Sequence, residues 1–281
     1  MPDPKRLLNT IRQAISAFRE TPGRKGHLVH LDGSGDVLVA GDLHGNLENF
    51  RRLLERAELK SHPNRHLIFQ ELVHSSFPYQ TGGDKSHQAL DLLAALKCQF
   101  PRQVHMLLGN HELAQWTNQW IAKGETELNA WFREGVETAY GAHADKIYEA
   151  YVDLLAVIPV AIRTSNRVFI SHSLPLEAQM EEFDPEVLTL DEHRPADLLP
   201  GGVIHSLVWG RDTATATVTA FLQKVDADWL ITGHIPCEQG FATPNERQLI
   251  LDCMRDPAAY CLFLTDRPVT IEDLVDGVKT L

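Results

Sequence analysis

The residue types best suited to chemistry in this 281-residue chain are an aspartate and a histidine, Asp42 and His44, in the segment GDLHGN at 41–46. They follow residues 37–40 (VLVA), whose apolar, β-forming side chains predict a buried strand that ends at Gly41. The carboxyl ends of strands are where open α/β sheets bind ligands. A carboxylate and an imidazole at such an end can bind one metal ion, so this segment predicts part of a metal site.

The same pattern recurs at four more places, because four other apolar runs end in polar residues of metal-binding type. We expect all five strand ends to deliver these side chains to one place. A set of carboxylate, amide and imidazole ligands suits two divalent ions of manganese, iron or zinc, with manganese preferred, rather than a thiolate-bound metal. The residues that follow the four runs are, in chain order, Glu71, Asn110 with His111, His172, and His234.

Composition places the chain among ordinary soluble proteins, with 43% hydrophobic and 23% charged residues. The 26 basic and 38 acidic residues give a formal charge of −12, which argues against nonspecific nucleic-acid binding. We expect no membrane span, because no run of 18 apolar residues exists, and no signal peptide, because the first residues lack an apolar core. The four cysteines form no C-x-x-C pair, which favours a reducing, cytoplasmic location. The oligomeric state is left open.

The elements that must position these residues follow from hydrophobic periodicity. Residues 5–20, within an N-terminal segment 1–25, have helical spacing, and we expect a surface helix docked on the body rather than one lying on a membrane. Runs 27–31 and 37–40 flank a short loop and predict a hairpin. Helices are predicted for 47–59, for a stretch that begins after a Ser86 cap, and for most of 112–157.

The second half of the chain contains a long segment, 174–202, that predicts a loop beside the site and is a candidate carrier of specificity. Residues 213–217 predict the start of a helix. Two late strands at 249–251 and 260–264 predict a second hairpin. No internal repeat and no linker is visible, so residues 1–281 are expected to form one domain.

Taken in order, Asp42 and His44, the segment GNHE at 109–112, His172 and the pair at 233–234 resemble the calcineurin-like metallophosphoesterases. The phosphoprotein phosphatase branch, with its bacterial diadenosine-tetraphosphatase relatives, is the most similar. The resemblance covers residues 36–265 and implies an α/β fold, a four-layer α-β-β-α sandwich, with two metals at strand ends. It also implies a proton donor, His111, and metal ligands in two groups: Asp42 with His44, and Asn110 with His172 and His234.

One motif departs from the family pattern. The family's bridging carboxylate lies in a G-D-x-x-D-R-G segment, which here reads QELVHS at 70–75. The alignment places Glu71 at the bridging position, His74 at the second aspartate and Ser75 at the arginine. Asp84 is an alternative bridge. His74 either contacts a metal or orients the proton donor.

The phosphate-binding arginines are a second departure. Leu108 stands where an arginine often precedes the GNHE segment. Arg211, in VWGRD, resembles a W-x-R element of the bacterial relatives and is a candidate phosphate clamp, although a surface salt bridge explains a single match equally well. Arginines from elsewhere, such as Arg163 or Arg194, are a further alternative.

These observations lead to an expected function, the hydrolysis of a phosphate ester by a hydroxide held between two metals. Loss of two arginines favours a phosphodiesterase, since a dianionic monoester benefits more from fixed cations. A phosphomonoesterase or Ser/Thr protein phosphatase is the first alternative, and a metal-binding scaffold without catalysis is the second. No nucleic-acid or membrane partner is expected.

Overall fold

The structure, a computed structural model, describes residues 3–281, and that part of the chain contains fourteen β-strands. Short strands separated by turns account for most of the apolar runs found in the sequence. In chain order the strands are β1 (Arg24–Lys25), β2 (Leu28–Leu31), β3 (Asp36–Asp42), β4 (Arg65–Gln70), β5 (Val104–Leu107), β6 (Ala122–Lys123), β7 (Thr126–Glu127), β8 (Ala161–Thr164), β9 (Val168–Ser171), β10 (Trp229–Thr232), β11 (Phe241–Asn245), β12 (Gln248–Leu251), β13 (Ala259–Leu264) and β14 (Val278–Thr280).

Helices fill most of the connections between these strands. Asp3 caps the first helix through its side chain, and Asn46 does the same for the second. The helices are α1 (Pro4–Arg19), α2 (Leu47–Ala57), α3 (His87–Gln99), α4 (Asn110–Thr117), α5 (Leu128–Tyr140), α6 (Ala144–Ala156), α7 (Glu177–Met180), α8 (Pro195–Leu198), α9 (Val203–Trp209), α10 (Thr215–Lys224) and α11 (Ile271–Asp276).

The strands form two large sheets and one small ribbon. The first sheet has the order β14-β13-β3-β4-β5, and the second has the order β1-β2-β8-β9-β10-β12-β11. Within the first sheet β3, β4 and β5 are parallel, and within the second β9, β10 and β12 are parallel, so the carboxyl ends of each group share an edge. The ribbon pairs β6 with β7.

The two sheets pack face to face, and helices cover their outer faces. The layer between the sheets is aliphatic, with Val39 of β3 and Ile231 of β10 among its fully buried side chains. On the outside of the first sheet Phe50 of α2 stacks on Phe69 of β4, with ring centroids 4.5 Å apart. Outside the second sheet Phe169 of β9 meets Phe221 of α10. This arrangement is the expected four-layer sandwich.

Both predicted hairpins are wrong. Strands β2 and β3 lie in different sheets, because residues 32–35 carry the chain from one sheet to the other rather than reversing it within one. Strands β12 and β13 are likewise divided between the sheets, and the antiparallel partner of β12 is β11. Adjacent apolar runs fit a hairpin and a sheet-to-sheet crossing equally well, so local pattern alone gives the wrong pairing.

The N-terminal helix packs on the body of the protein, and the long segment 174–202 contacts the region of the site. Helix α1 buries Leu7, Ile11 and Phe18 and packs against α3 and α6, as expected for a docked helix, while residues 1 and 2 of the predicted segment 1–25 lie outside the described residues. Segment 174–202 contains α7 and α8. At its start the backbone N–H of Glu177 donates to Asp212 at 3.2 Å, and near its end the carbonyl of Leu198 accepts from Gln119, beside the cleft. No helix among residues 3–281 has the length and apolarity needed to cross a bilayer.

Candidate metal centre

Glu71 lies between two groups of potential ligands, just beyond the end of β4. Its Oε2 is 3.2 Å from Nε2 of His44, and its Oε1 is 3.4 Å from Nε2 of His172. The side chain is only 2% exposed. One oxygen therefore faces each group, which is the geometry required of a carboxylate that bridges two cations.

The first group contains His44, Glu71 and His111, whose ligand atoms lie within 4.8 Å of one another. His44 follows β3, and its Nδ1 donates to the carbonyl of Val73 at 3.2 Å, which leaves Nε2 directed at Glu71. The backbone N–H of His111 donates to Oε1 of Glu71 at 3.1 Å. These contacts hold both carboxylate oxygens of Glu71.

The second group contains Glu71, His172 and His234. Nε2 of His172 lies 3.0 Å from Oδ1 of Asn110 and 3.2 Å from Nδ1 of His234. His172 and His234 follow strands β9 and β10 of the second sheet, whereas Asn110 begins α4 beyond the first sheet. The second group thus draws ligands from both sheets.

Asp42 lies at the junction of the two sheets. Its Oδ2 accepts the backbone N–H of His234 at 2.7 Å, and its Oδ1 lies 3.6 Å from Nδ1 of His172. Only glycine fits at position 233, because an added Cβ there would lie 2.1 Å from Oδ1 of Asp42. The nearest ligand-type contacts of Asp42 are therefore with the second group, although the resemblance pairs it with His44.

Two buried polar atoms indicate that these residues fit divalent cations. Oδ1 of Asp42 and Nδ1 of His172 have no hydrogen-bond partner among the described residues, and a buried polar atom without a partner costs free energy. Carboxylate oxygens, an amide oxygen and imidazole nitrogens are ligands for manganese, iron and zinc. Cys237 adds no thiolate to the set, since its Sγ donates to the carbonyl of Ile235.

The charges of the centre favour the binding of cations. Burial, reinforced by the charge of Glu71, raises the pKa of Asp42 well above its usual range. Burial would do the same to Glu71, but the imidazoles of His172, His111 and His44 hold its pKa well below that range. Burial opposes a charge on His44, yet Glu71 raises its pKa to about 9. The carboxylates of Asp42 and Glu71 are both buried, and they need nearby positive charge to remain ionised together.

His74 contacts His111 rather than the two groups of ligands. Its Nδ1 lies 2.9 Å from Nδ1 of His111, and its Nε2 lies 2.9 Å from Oε1 of Gln115. These contacts occupy both ring nitrogens of His74. His74 belongs to neither group of ligands.

Arg211 reaches the centre. Its Nε donates to Nε2 of His234 at 3.0 Å, and the side chain lines the cleft above the ligands. It makes no ion pair with any residue in the described range 3–281, so the alternative of a surface salt bridge does not hold. The other two arginines considered do form such bridges: Arg163 pairs with Asp226 and Arg194 with Asp197.

Asp84, the alternative bridge, is committed elsewhere. Its carboxylate accepts hydrogen bonds from the backbone N–H and hydroxyl groups of both Ser75 and Ser86. Because the hydroxyl of Ser86 serves Asp84, it does not cap α3, although Ser86 occupies the predicted cap position. The same hydroxyl accepts the N–H of His74 at 3.0 Å. Asp84 thus holds the loop that carries His74 and does not contact the ligand groups.

Two acidic residues near the centre were not predicted as site residues. Oε1 of Glu112 accepts the N–H groups of Leu72 and Val73 at 2.8 and 3.0 Å, which fixes the chain just after Glu71. Burial raises the pKa of Glu112 to about 7. Asp252 accepts the N–H of Met254 at 2.8 Å and lines the cleft. Glu112 belongs to the GNHE motif, so the signal for it was present in the sequence.

A cleft of about 490 Å³ opens above the ligands. Its side walls include the β6–β7 ribbon and the loop before it, held to the body by a small core of Ala114, Ile121 and Leu128. Lys123 of the ribbon is a second cation on the cleft wall. The apolar side chains that line the cleft are Trp120, Ile121, Leu128, Trp209 and Met254. Nothing in the local pattern around residues 120–128 predicted this wall.

Comparison with known proteins agrees with this geometry. Residues 35–238 match the family model described as calcineurin-like phosphoesterase, so the chain belongs to that family. A curated relative, a probable serine/threonine-protein phosphatase of Encephalitozoon cuniculi, is 27% identical over 232 residues. That alignment covers 76% of this chain but 46% of the relative, so the chain spans about half of the relative's length.

Solved structures support the fold. A serine/threonine phosphatase from Saccharomyces cerevisiae with similarity to human phosphatase PP5 has a TM-score of 0.73 at 14% identity, covering 99% of this chain and 88% of that one. A cold-active protein tyrosine phosphatase has a TM-score of 0.63 at 15% identity, covering 95% and 82%. The chain thus belongs to the calcineurin-like phosphoesterase family and has the α/β sandwich that its motifs implied.

Proposed function

We propose that this protein hydrolyses phosphate diesters, using two divalent metals held on either side of Glu71. The observation that carries the proposal is the position of Glu71, which directs one carboxylate oxygen at each of two ligand groups. We assign Asp42, His44, Asn110, His172 and His234 as the remaining ligands. The bound cations would supply neutralisation of the phosphoryl oxygens and activation of the attacking water.

The side chains around the ligands have separate tasks. Arg211, held by His234, lies where its guanidinium can bind a phosphoryl oxygen through its remaining N–H groups. His111 has Nδ1 occupied by His74, so Nε2 is the nitrogen available to protonate the departing oxygen. Retention of this pair argues against a scaffold that only binds metal.

The preference for diesters rests on the charges and apolar surface of the cleft. Ser75 is bonded to Asp84 and Leu108 is fully buried, so neither position supplies a cation where the family often has arginine. Arg163 and Arg194 are committed to surface ion pairs. The apolar wall at Trp120 and Ile121 gives a second ester substituent a surface to pack against, which a monoester would not use.

A phosphomonoesterase, including a Ser/Thr protein phosphatase, is the second candidate. Lys123 favours it, because with Arg211 it gives the cleft two cations that would suit a dianionic phosphate. The curated relative's name points the same way, although the chain spans only 46% of that protein. Manganese is our preferred metal, and the four free cysteines support a reducing, cytoplasmic setting.

The experiment is a comparison of kcat/KM for bis(4-nitrophenyl) phosphate and 4-nitrophenyl phosphate, with the same Mn²⁺ concentration and pH. We expect the diester to be preferred, and we expect Lys123→Met to lower monoester activity more than diester activity. A clear monoester preference in the unmodified protein would replace this proposal with the second candidate. Absence of activity on both esters, with metal bound, would favour the scaffold.

A further inference from the structure

A chain of three hydrogen bonds runs from His111 away from the cleft. Nδ1 of His111 meets Nδ1 of His74 at 2.9 Å, Nε2 of His74 meets Oε1 of Gln115 at 2.9 Å, and Nε2 of Gln115 donates to the hydroxyl of Tyr148 at 2.7 Å. Gln115 is 1% exposed and His74 is 5% exposed. No motif in the sequence pointed to Gln115 or Tyr148.

The direction of each bond follows from the chemistry of its atoms. Because the amide nitrogen of Gln115 donates to Tyr148, the amide oxygen of Gln115 faces His74 and accepts a hydrogen bond from its Nε2–H. Neutral His74 then carries its proton on Nε2 and has a lone pair on Nδ1. The hydrogen on Nδ1 of His111 points at that lone pair, which reserves Nε2 of His111 for the cleft.

We propose that Gln115 and Tyr148 are positioning residues that hold His74 in the tautomer and orientation that direct Nε2 of His111 at the cleft. This inference rests on the proposed phosphoesterase function. In the step it describes, the bond from phosphorus to the leaving oxygen breaks, Nε2–H of His111 gives its proton to that oxygen, and His111 keeps Nδ1–H on His74. Attacking water supplies the new oxygen on phosphorus, and a proton from solvent restores the acid.

The opposite tautomer would impair this step. If His74 carried its proton on Nδ1, it would donate to Nδ1 of His111, which could then hold a proton only on Nε2. Loss of that proton would leave an imidazolate anion, which is much less stable than the neutral imidazole that remains when an imidazolium loses a proton. The acceptor oxygen of Gln115 opposes this tautomer, and the hydrogen bond to Tyr148 holds the amide in place. Tyr148 is itself held under the guanidinium of Arg133, 4.9 Å from its ring.

Substrates with different leaving groups provide the test, because a good leaving group needs little protonation. Diphenyl phosphate and bis(4-nitrophenyl) phosphate are compared in the metal-loaded, full-length protein. We expect Gln115→Leu to slow diphenyl phosphate by about tenfold or more and bis(4-nitrophenyl) phosphate by less than about threefold, a fraction of the usual effect of removing a general acid. Metal content should not change. Gln115→Glu, which keeps an acceptor for His74, should restore most of the loss.

Gln119→Leu is the matched control. Gln119 lies four residues further along, just beyond the end of α4, and its amide donates to the hydroxyl of Thr117 and to the carbonyl of Leu198 instead of contacting His74. We expect this variant to lower both rates equally or not at all. A uniform loss for Gln115→Leu, equal on both substrates, would mean that Gln115 is merely structural.

A second readout reports the tautomer directly. Ring ¹⁵N shifts of His74 in protein loaded with diamagnetic Zn²⁺ should show the proton on Nε2, with Tyr148→Phe giving a mixture of tautomers. A proton on Nδ1 in the unmodified protein would overturn the inference. Inactivity of the unmodified protein on every ester would contradict the proposed function instead, so the two failures are distinguishable.

Discussion

The two halves of the candidate metal centre differ in how they meet solvent. The open half, His44 and His111, lies at the edge of the first sheet, and the side chain of His44 is 14% exposed. The buried half, His172 and His234, lies at the edge of the second sheet, where His172 is fully buried and His234 is 5% exposed. The predicted proton donor, His111, belongs to the open half and the guanidinium of Arg211 to the buried half, so a substrate that used both side chains would be bound across the two halves.

This difference shows how the centre divides its tasks. Burial lowers the pKa of His172, and burial together with His172 lowers that of His234 to about 3, so the buried half is held in the neutral form that binds metal. In the open half Glu71 raises the pKa of His44 to about 9, which means that a proton must leave His44 before a cation binds.

The largest effect should come from Glu71→Gln, because Glu71 belongs to both halves. We expect loss of both metals and a fall in kcat/KM of more than about a hundredfold, since even an indirect partner of a metal ligand is worth about 10–100-fold in affinity. Metal analysis after dialysis measures the metal content, and hydrolysis of bis(4-nitrophenyl) phosphate measures kcat/KM. Asp84→Asn is the control and should retain two metals per chain; the reverse ranking would remove Glu71 from the bridge.

His234→Ala should reduce metal binding in the buried half. It removes one ligand and the acceptor of Arg211, so we expect metal and activity to fall together. Asp42→Ala should behave alike, since Asp42 contacts the same half. Inductively coupled plasma mass spectrometry gives the stoichiometry. A fully active preparation that contains no metal would refute the site.

His111→Ala should affect the open half without loss of metal. We expect a fall of about a hundredfold for an ester with a poor leaving group and a smaller fall for a nitrophenyl ester, because the latter departs with little help. Parallel assays of the two esters at fixed metal concentration measure the ratio. Equal losses would show that His111 serves as a ligand rather than as an acid.

The smallest effect should come from Arg211→Lys. Lysine keeps the charge but lacks the fork that can hold His234 and a phosphoryl oxygen together. We expect KM to rise by about tenfold, roughly the value of one charge-assisted hydrogen bond, with metal content unchanged. Arg163→Lys, in a surface pair with Asp226, is the control and should leave KM unaltered.

Most of the site residues that the sequence predicted lie at the ends of strands. Asp42, His44, His172 and His234 each follow an apolar run, and runs of that kind specify both a buried strand and the place where it stops. Glu71 was also placed by this rule, although it departs from the family's aspartate. The four-layer architecture came from the resemblance of the motifs, not from periodicity.

Features that depend on distant contacts could not be predicted in the same way. The pairing of β12 with β11, and the crossing from β2 to β3, depend on which sheet each strand joins. Gln115 lies inside α4 and Tyr148 inside α6, and nothing local distinguishes them from packing residues. Lys123 and Trp120 line the cleft only because the ribbon is held over it by a small core.

Four residues of the centre adopt left-handed backbone conformations, with φ of 42° at His44, 41° at Glu71, 63° at His74 and 66° at His234. Such a conformation costs a residue with a Cβ roughly 1–2 kcal/mol relative to glycine. The four residues therefore lower the thermostability of the fold, because their side chains are held on a backbone conformation that favours glycine. Glycine at position 74 should give a higher Tm than alanine there, although both variants lack the imidazole. Selection for heat resistance alone would tend to erase this centre.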